Sequence, residues 1–243
     1  MNLFSLSAWR DRLRRAGWKD FVLLLAAATL FGSLVIFAEV TDLVMEGRLH
    51  ETERLGMRSL RMPDDPARPI GPRWLQHVGL DVSALGGGAV LTIMTLLVIG
   101  YLLLQGRYHA TVFLLIAALG GLALNKSLKA YFGRERPDIV PHLSEVSSAS
   151  YPSGHSMLSS IIYLTLGVML ARSVKSRRLR VYFVSAALTL SFLIGLSRIY
   201  LGVHYPTDVI AGWAAGTAYA IVCALVSYWL QRRGTVEPEE NAS

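Results

Sequence analysis

The stretch FVLLLAAATLFGSLVIFAEVTDLV, residues 21–44, decides the fold class, because only Glu39 and Asp42, both near its far end, interrupt its apolar character. A helix that crosses a bilayer needs roughly 20 mostly apolar residues. Arg10, Arg12, Arg14, Arg15 and Lys19 precede the run, as basic residues precede a secretory leader. The run is too long for a leader's apolar region, and no A-x-A cleavage pattern closes it, so we read it as an uncleaved span. Similar runs follow at about 85–104, which opens on Gly86-Gly87-Gly88, and at 109–132, 156–171, 181–196 and 207–230. The expected architecture is all-α, a polytopic membrane protein with six transmembrane helices, the fifth of them short.

Composition agrees. The 243 residues are 53% hydrophobic and 17% charged, against about 25% charged in soluble domains, and the apolar residues come in blocks. A net charge of +7 would suit nucleic acid. Here the cations sit beside apolar segments and no RNA- or DNA-binding module is visible, so the expected partner is the lipid bilayer and not nucleic acid. The single cysteine, Cys223, falls inside an apolar run. It excludes an intrachain disulfide and reads as a small buried hydrophobe.

Six spans put both termini on one side. That side receives the N-terminal cations, Arg107, the cluster Arg172, Lys175, Arg177, Arg178 and Arg180, and Arg232 with Arg233. Cations flanking spans mark the cytoplasm. The loop 45–84 carries Arg48, Arg54, Arg58, Arg61, Arg68 and Arg73 on the other side, which weakens the bias without reversing it. Expected, then, is an integral plasma (inner) membrane protein with cytoplasmic termini. The loop contains Pro63, Pro66, Pro69 and Pro72, with Trp74 and Leu75 as interfacial anchors. Short amphipathic segments lying on the membrane are the expectation for it. Residues 1–233 read as one domain, and the polar, acidic tail 234–243 as disordered.

Three short segments then collect at the non-cytoplasmic ends of different spans. Lys129 and Arg136 are two helical turns apart, so a continued helix would put both on one face; Pro137 marks the start of a loop. Singly, these are explained as snorkelling cations. Pro152-Ser153-Gly154-His155 opens the fourth span. A glycine at a helix N-terminus lets free N–H groups approach an anion, Ser153 either caps the helix or meets the ligand, and His155 suits acid–base work near neutrality. Ser197-Arg198 closes the fifth span, and His204 and Asp208, four apart, open the sixth around Pro206. An aspartate there can orient an imidazole or simply favour the helix dipole. Together the segments give one pocket three permanent cations, a helix N-terminus and two histidines. That is what a phosphoryl group needs without a metal. Asp138, Glu145 and Asp208 are too scattered to suggest a metal pair, and Lys126 and Arg134 read as surface or headgroup contacts.

The segments Lys129-x6-Arg136-Pro137, Pro152-Ser153-Gly154-His155 and Ser197-Arg198-x5-His204-x3-Asp208 resemble the type 2 phosphatidic acid phosphatase superfamily, matching its signature motifs without departure over roughly residues 125–210. Six spans with an outward site resemble its bacterial membrane members of the phosphatidylglycerophosphate phosphatase B type. The resemblance implies hydrolysis of a phosphomonoester or diphosphate without metal or cofactor. His204 is then the nucleophile, forming a phosphohistidine, with Asp208 as its orienter. His155 serves as acid and then base, and Lys129, Arg136, Ser153, Gly154 and Arg198 bind phosphate. The implied substrate is a membrane lipid phosphate: undecaprenyl diphosphate, phosphatidylglycerophosphate, phosphatidate or diacylglycerol pyrophosphate. Two alternatives are a non-hydrolytic lipid-phosphate transporter or flippase, against which both histidines and Asp208 argue, and a vanadate-dependent haloperoxidase, which six spans disfavour. Oligomeric state is not legible.

Overall fold

A computed structural model describes residues 18–138 and 149–232. The cations Arg10–Arg15, Glu145 and the tail 234–243 lie outside them. Among the described residues the elements run α1 (Trp18–Met45), α2 (His50–Ser59), β1 (Arg61–Met62), β2 (Asp65–Pro69), α3 (Arg73–Leu85), α4 (Gly88–Leu104), α5 (Tyr108–Phe132), α6 (Gly154–Arg172), α7 (Arg177–Tyr200) and α8 (Pro206–Arg232). Helices α1, α5, α6, α7 and α8 are each long and apolar enough to cross a membrane, and α3 with α4 supplies a sixth if the bent pair is one span. The architecture is all-α apart from the antiparallel β1–β2 ribbon in the first loop.

Three expectations need correction. The second span is not a straight helix over 85–104: α3 and α4 meet at 47°. Alone, the 17 residues of α4 reach about 25 Å at ~1.5 Å per residue, short of a hydrocarbon core of about 30 Å. The break falls at Gly86, where a Cβ would run into Ile194 and lie 3.4 Å from the Cβ and ring of His155. The elbow therefore presses against α6 and α7, and only glycine fits. The fifth span is not short, since α7 runs 24 residues and takes Arg177, Arg178 and Arg180 into its first turns. Third, Lys129 and Arg136 do not share a helix face. Helix α5 ends at Phe132, capped by Gly133 at φ +57° with its N–H donating to the Lys129 carbonyl at 3.0 Å. A left-handed glycine stops a helix because it turns the chain away at no Cβ cost.

Between α1 and α3 the loop folds as α2 and the β1–β2 ribbon, and Trp74 in the first turn of α3 is exposed. Cys223 is buried as expected.

Helix α6 is the centre of the bundle. More than half of its apolar window (56%) is inside the protein, against 6% for α1, whose leucines and phenylalanines face outward. Around α6 pack α5, α7 and α8, and α1 lies on α8. Small residues make this possible, because membrane helices associate by close packing, with no water to expel. Gly212 and Gly216 lie on the face of α8 turned to α6. A Cβ at Gly216 would sit 2.5 Å from the Met157 carbonyl oxygen, and one at Gly212 would sit 2.7 Å from that of Ser153. Gly195 of α7 gives the same clearance to the Trp213 indole, whose Nε1 donates to the Ser191 carbonyl at 2.9 Å. Ile161, Ile162, Ile194 and Ala215 fill the remaining interior.

Gly216→Val should therefore lower the thermal unfolding midpoint in detergent, with a destabilisation of ~1–3 kcal/mol from overpacking. Tryptophan fluorescence on heating measures it, and an unchanged midpoint would mean that α6 and α8 do not approach this closely.

Candidate active site

The C-terminal end of α5, the N-terminal ends of α6 and α8 and the last turn of α7 meet at one end of the bundle. Their junction begins with a backbone link. The N–H of Ser153 donates to the carbonyl of Asp208 at 2.9 Å, so the loop before α6 is tied to the first turn of α8. Ser153 is fully buried, and its hydroxyl accepts from the Ser156 N–H at 3.4 Å and the Ser156 hydroxyl at 3.1 Å. The helix cap thus accounts for its hydroxyl. Next to it, the bare Cα of Gly154 lets Lys129 and Asn125 of α5 pass: a Cβ there would lie 3.6 Å from Lys129 Cε and 3.1 Å from Asn125 Oδ1. Lys129 Nζ donates to the Ala149 carbonyl.

His204 sits in the loop between α7 and α8 and is 1% exposed. Its Nδ1 faces Asp208 Oδ2 at 3.3 Å and its Nε2 faces Arg136 Nη1 at 3.1 Å. A carboxylate only accepts and a guanidinium only donates. The pair therefore assigns the proton to Nδ1 and leaves the Nε2 lone pair directed at Arg136. The same Arg136 nitrogen donates to the Val203 carbonyl at 2.7 Å, which ties the guanidinium to the backbone beside His204. Burial pushes the His204 ring pKa down to about 4; Asp208 opposes the shift, and Arg136 and Arg198 reinforce it. Burial also lowers that of the Arg136 guanidinium, with Asp208 working against it.

Arg198 is 2% exposed and donates from Nη1 to the Ser83 hydroxyl at 2.6 Å, at the end of α3. Its buried Nε has no hydrogen-bond partner among the described residues. An unmade buried hydrogen bond costs about 1–3 kcal/mol, and Arg198 Nε carries that cost at this junction. His155, half-buried in the first turn of α6, lies within the electrostatic reach of Arg198, His204, Arg136 and Lys129.

The structure thus gathers Lys129, Arg136, Ser153, Gly154, His155, Arg198, His204 and Asp208. It also corrects the place of Arg134, which is no surface cation. Arg134 Nη1 donates to Asp208 Oδ1 at 2.6 Å and Nη2 to Glu53 Oε2 at 2.7 Å. Burial opposes the charge on this guanidinium, but Asp208 and Glu53 outweigh it and raise its pKa. Lys126 is exposed. Ser150, Ser83 and Glu53 are further polar partners that sequence reasoning missed. Ser150 donates to Asp208 Oδ2. Its only sequence signal is its place two residues before Pro152. Glu53 gives none, as one of several acids in a loop.

An uncharged ring nitrogen beside guanidinium and ammonium groups is chemically able to receive a phosphoryl group, whose equatorial oxygens require such donors. Residues 109–232 match the PAP2 superfamily, just over half the chain. The chain belongs to the PAP2 superfamily. It is 33% identical over 146 residues to the phosphatidylglycerophosphatase B of Bacillus subtilis (strain 168), covering 59% of this chain and 70% of that relative. It is 29% identical over 186 residues to a lipid A 1-phosphatase of Rhizobium johnstonii, covering 65% and 72%. The crystal structure of a transmembrane PAP2 type phosphatidylglycerolphosphate phosphatase from Bacillus subtilis shares the fold. Its TM-score is 0.69 at 24% identity, over 85% of this chain and 98% of that one. This PAP2 chain is accordingly an integral, multi-pass membrane protein.

The low pKa of His204 has a stability consequence. In the unfolded chain the ring titrates near 6.5; in the folded one it stays neutral to about pH 4. The stabilising contribution is complete above the unfolded value and is lost as pH falls from about 6.5 towards 4, by an amount on the order of 3 kcal/mol. His204→Asn should flatten this acid decline in unfolding midpoint relative to the parent PAP2 chain. Identical slopes from pH 7 to 4.5 would mean that the ring is not held neutral.

Proposed function

We propose that this chain is a lipid phosphatase that hydrolyses a phosphomonoester or diphosphate of a membrane lipid through a phosphohistidine on His204, with no metal required. The observation that carries the reading is the His204 ring: its Nδ1 faces a buried carboxylate, and its Nε2 faces Arg136. The named substrates of the relatives, a phosphatidylglycerophosphate and a lipid A phosphate, support a lipid substrate.

In the first step the Nε2 lone pair attacks phosphorus, the bond to the leaving oxygen breaks, and His155 gives its proton to that oxygen. Asp208 steadies the positive charge that the phosphorylated ring acquires. Arg136 turns from Nε2 to a phosphoryl oxygen, Arg198 adds its unmade Nε–H bond, and Lys129 with the Gly154 N–H completes the clamp. In the second step neutral His155 takes a proton from water, hydroxide attacks phosphorus, and the P–N bond breaks. Phosphate leaves and His204 returns to its neutral tautomer. Substrate enters from the lipid side: the site lies at the helix ends, where a headgroup can reach it while acyl or prenyl chains stay in the bilayer.

We further infer that residues 1–233 form one domain with cytoplasmic termini. The active site then faces the periplasm or exterior of a plasma (inner) membrane, and the segments between α1 and α3 lie on that face. The cations Arg107, Arg172, Lys175, Arg177, Arg178 and Arg180, at the opposite ends of the spans, support this orientation.

The test is phosphate release by purified protein in detergent with a chelator present. The panel is phosphatidate, phosphatidylglycerophosphate, diacylglycerol pyrophosphate and undecaprenyl diphosphate. Turnover of at least one lipid is expected, with a bell-shaped pH–rate profile, because a neutral His204 and a protonated His155 must coexist. His204→Ala should lower kcat by at least about a thousandfold. Headgroup binding without release would favour the transporter reading, and activity abolished by chelation would sink the metal-free mechanism.

A further inference from the structure

We propose that Arg134 and Glu53 are positioning residues for this reaction, a buried relay that fixes Asp208 and, through it, the attacking ring of His204. The proposal rests on the phosphatase reading above. Asp208 is 0% exposed, and its two oxygens are held differently. Oδ2 accepts from Ser150, from the Tyr205 N–H at 2.9 Å, and faces His204 Nδ1 at 3.3 Å. Oδ1 accepts from Arg134 Nη1 at 2.6 Å. Rotation of the carboxylate would cost both sets of contacts, so Arg134 locks the plane in which Oδ2 meets the imidazole.

Arg134 is itself held on every side. Nη1 also donates to Thr207 Oγ1 at 2.8 Å, Nη2 to Glu53 Oε2 at 2.7 Å, and the guanidinium lies 4.3 Å from the centre of the Tyr205 ring. Two bonds from a planar fork define an orientation that a lysine cannot reproduce. Glu53, 6% exposed, then closes the circuit by accepting from the Thr207 N–H at 3.0 Å and its hydroxyl at 2.6 Å. It therefore serves the first turn of α8, the helix that carries Asp208, as a capping carboxylate supplied from α2. Pro206 has no N–H to offer there, which leaves Thr207 as the donor to satisfy. Met57, one turn further along α2, is 1% exposed and packs with Tyr205, so α2 is docked by an apolar contact as well. A loop helix and a residue between the motif positions of Lys129 and Arg136 thus share in orienting the nucleophile.

The experiment is steady-state hydrolysis of a short-chain phosphatidate, or of whichever panel lipid the parent turns over fastest. It uses the full chain carrying Arg134→Gln, Glu53→Gln, Asp208→Asn and the Arg134→Gln/Asp208→Asn pair. Arg134→Gln should lower kcat about 10- to 100-fold with KM within about threefold, and Glu53→Gln about 3- to 10-fold. In the Asp208→Asn background the Arg134 change should cost less than about threefold, because the group it orients is gone. Equal losses in both backgrounds, or a raised KM with kcat kept, would overturn the relay and make Arg134 an independent or phosphate-binding group. Should Arg134→Gln fail to fold, Arg134→Lys keeps the charge and one contact. An intermediate kcat is then expected, and parental kcat would refute the proposal. If the parent releases phosphate and His204→Ala does not, while Arg134→Gln and Glu53→Gln match the parent, the relay alone falls. If the parent hydrolyses no lipid phosphate, the phosphatase reading fails and takes the relay with it.

Discussion

A buried carboxylate needs compensation on every lone pair, and around Asp208 this requirement organises the whole site. A desolvated charge left unpaired costs several kcal/mol. The chain answers with donors from separate places in the sequence: Arg134 after α5, Ser150 before α6, and His204 and the Tyr205 N–H before α8. Its backbone carbonyl adds a bond to Ser153. Satisfying one acid thereby draws three helix ends together. Arg136 and Gly154 are carried along, because Arg136 follows Arg134 by two residues and Gly154 follows Ser153 directly.

What lets those ends come so near is the absence of side chains between helices. Gly212, Gly216 and Gly195 remove the spacing that larger residues would impose, and Gly86 does the same where the α3–α4 elbow meets His155. The polar site and the small-residue packing are one design. A looser bundle could still bury its leucines, but it would separate the two histidines. Charge compensation sets the geometry at the top of the bundle, and close packing keeps it from drifting.

Most of this architecture was legible in the sequence. Apolar runs located the spans, since the bilayer thickness imposes a length that local sequence must meet. The spacing of His204 and Asp208 announced their contact, because four residues is one helical turn. Three features were hidden, each for a physical reason. The bend between α3 and α4 depends on what faces Gly86, and hydropathy does not record a neighbour's position. The end of α5 at Gly133 replaces the expected two-turn match of Lys129 and Arg136 with a loop, whose reach follows from tertiary contacts. Arg134 reads as a surface or headgroup contact, and Glu53 gives no signal, because their partners lie 74 and 154 residues further along the chain.

The capping of α8 by Glu53 joins segments 154 residues apart in the chain. During synthesis α2 emerges well before His204, Asp208 and α8. The contact of Glu53 with Thr207, and with it the His204–Asp208 pair, thus forms only once α8 has packed against α1 and α6. A chain made only as far as α7 holds Lys129, Arg136 and Arg198 but lacks the His204–Asp208 pair, so these side chains are gathered only once α8 is in place.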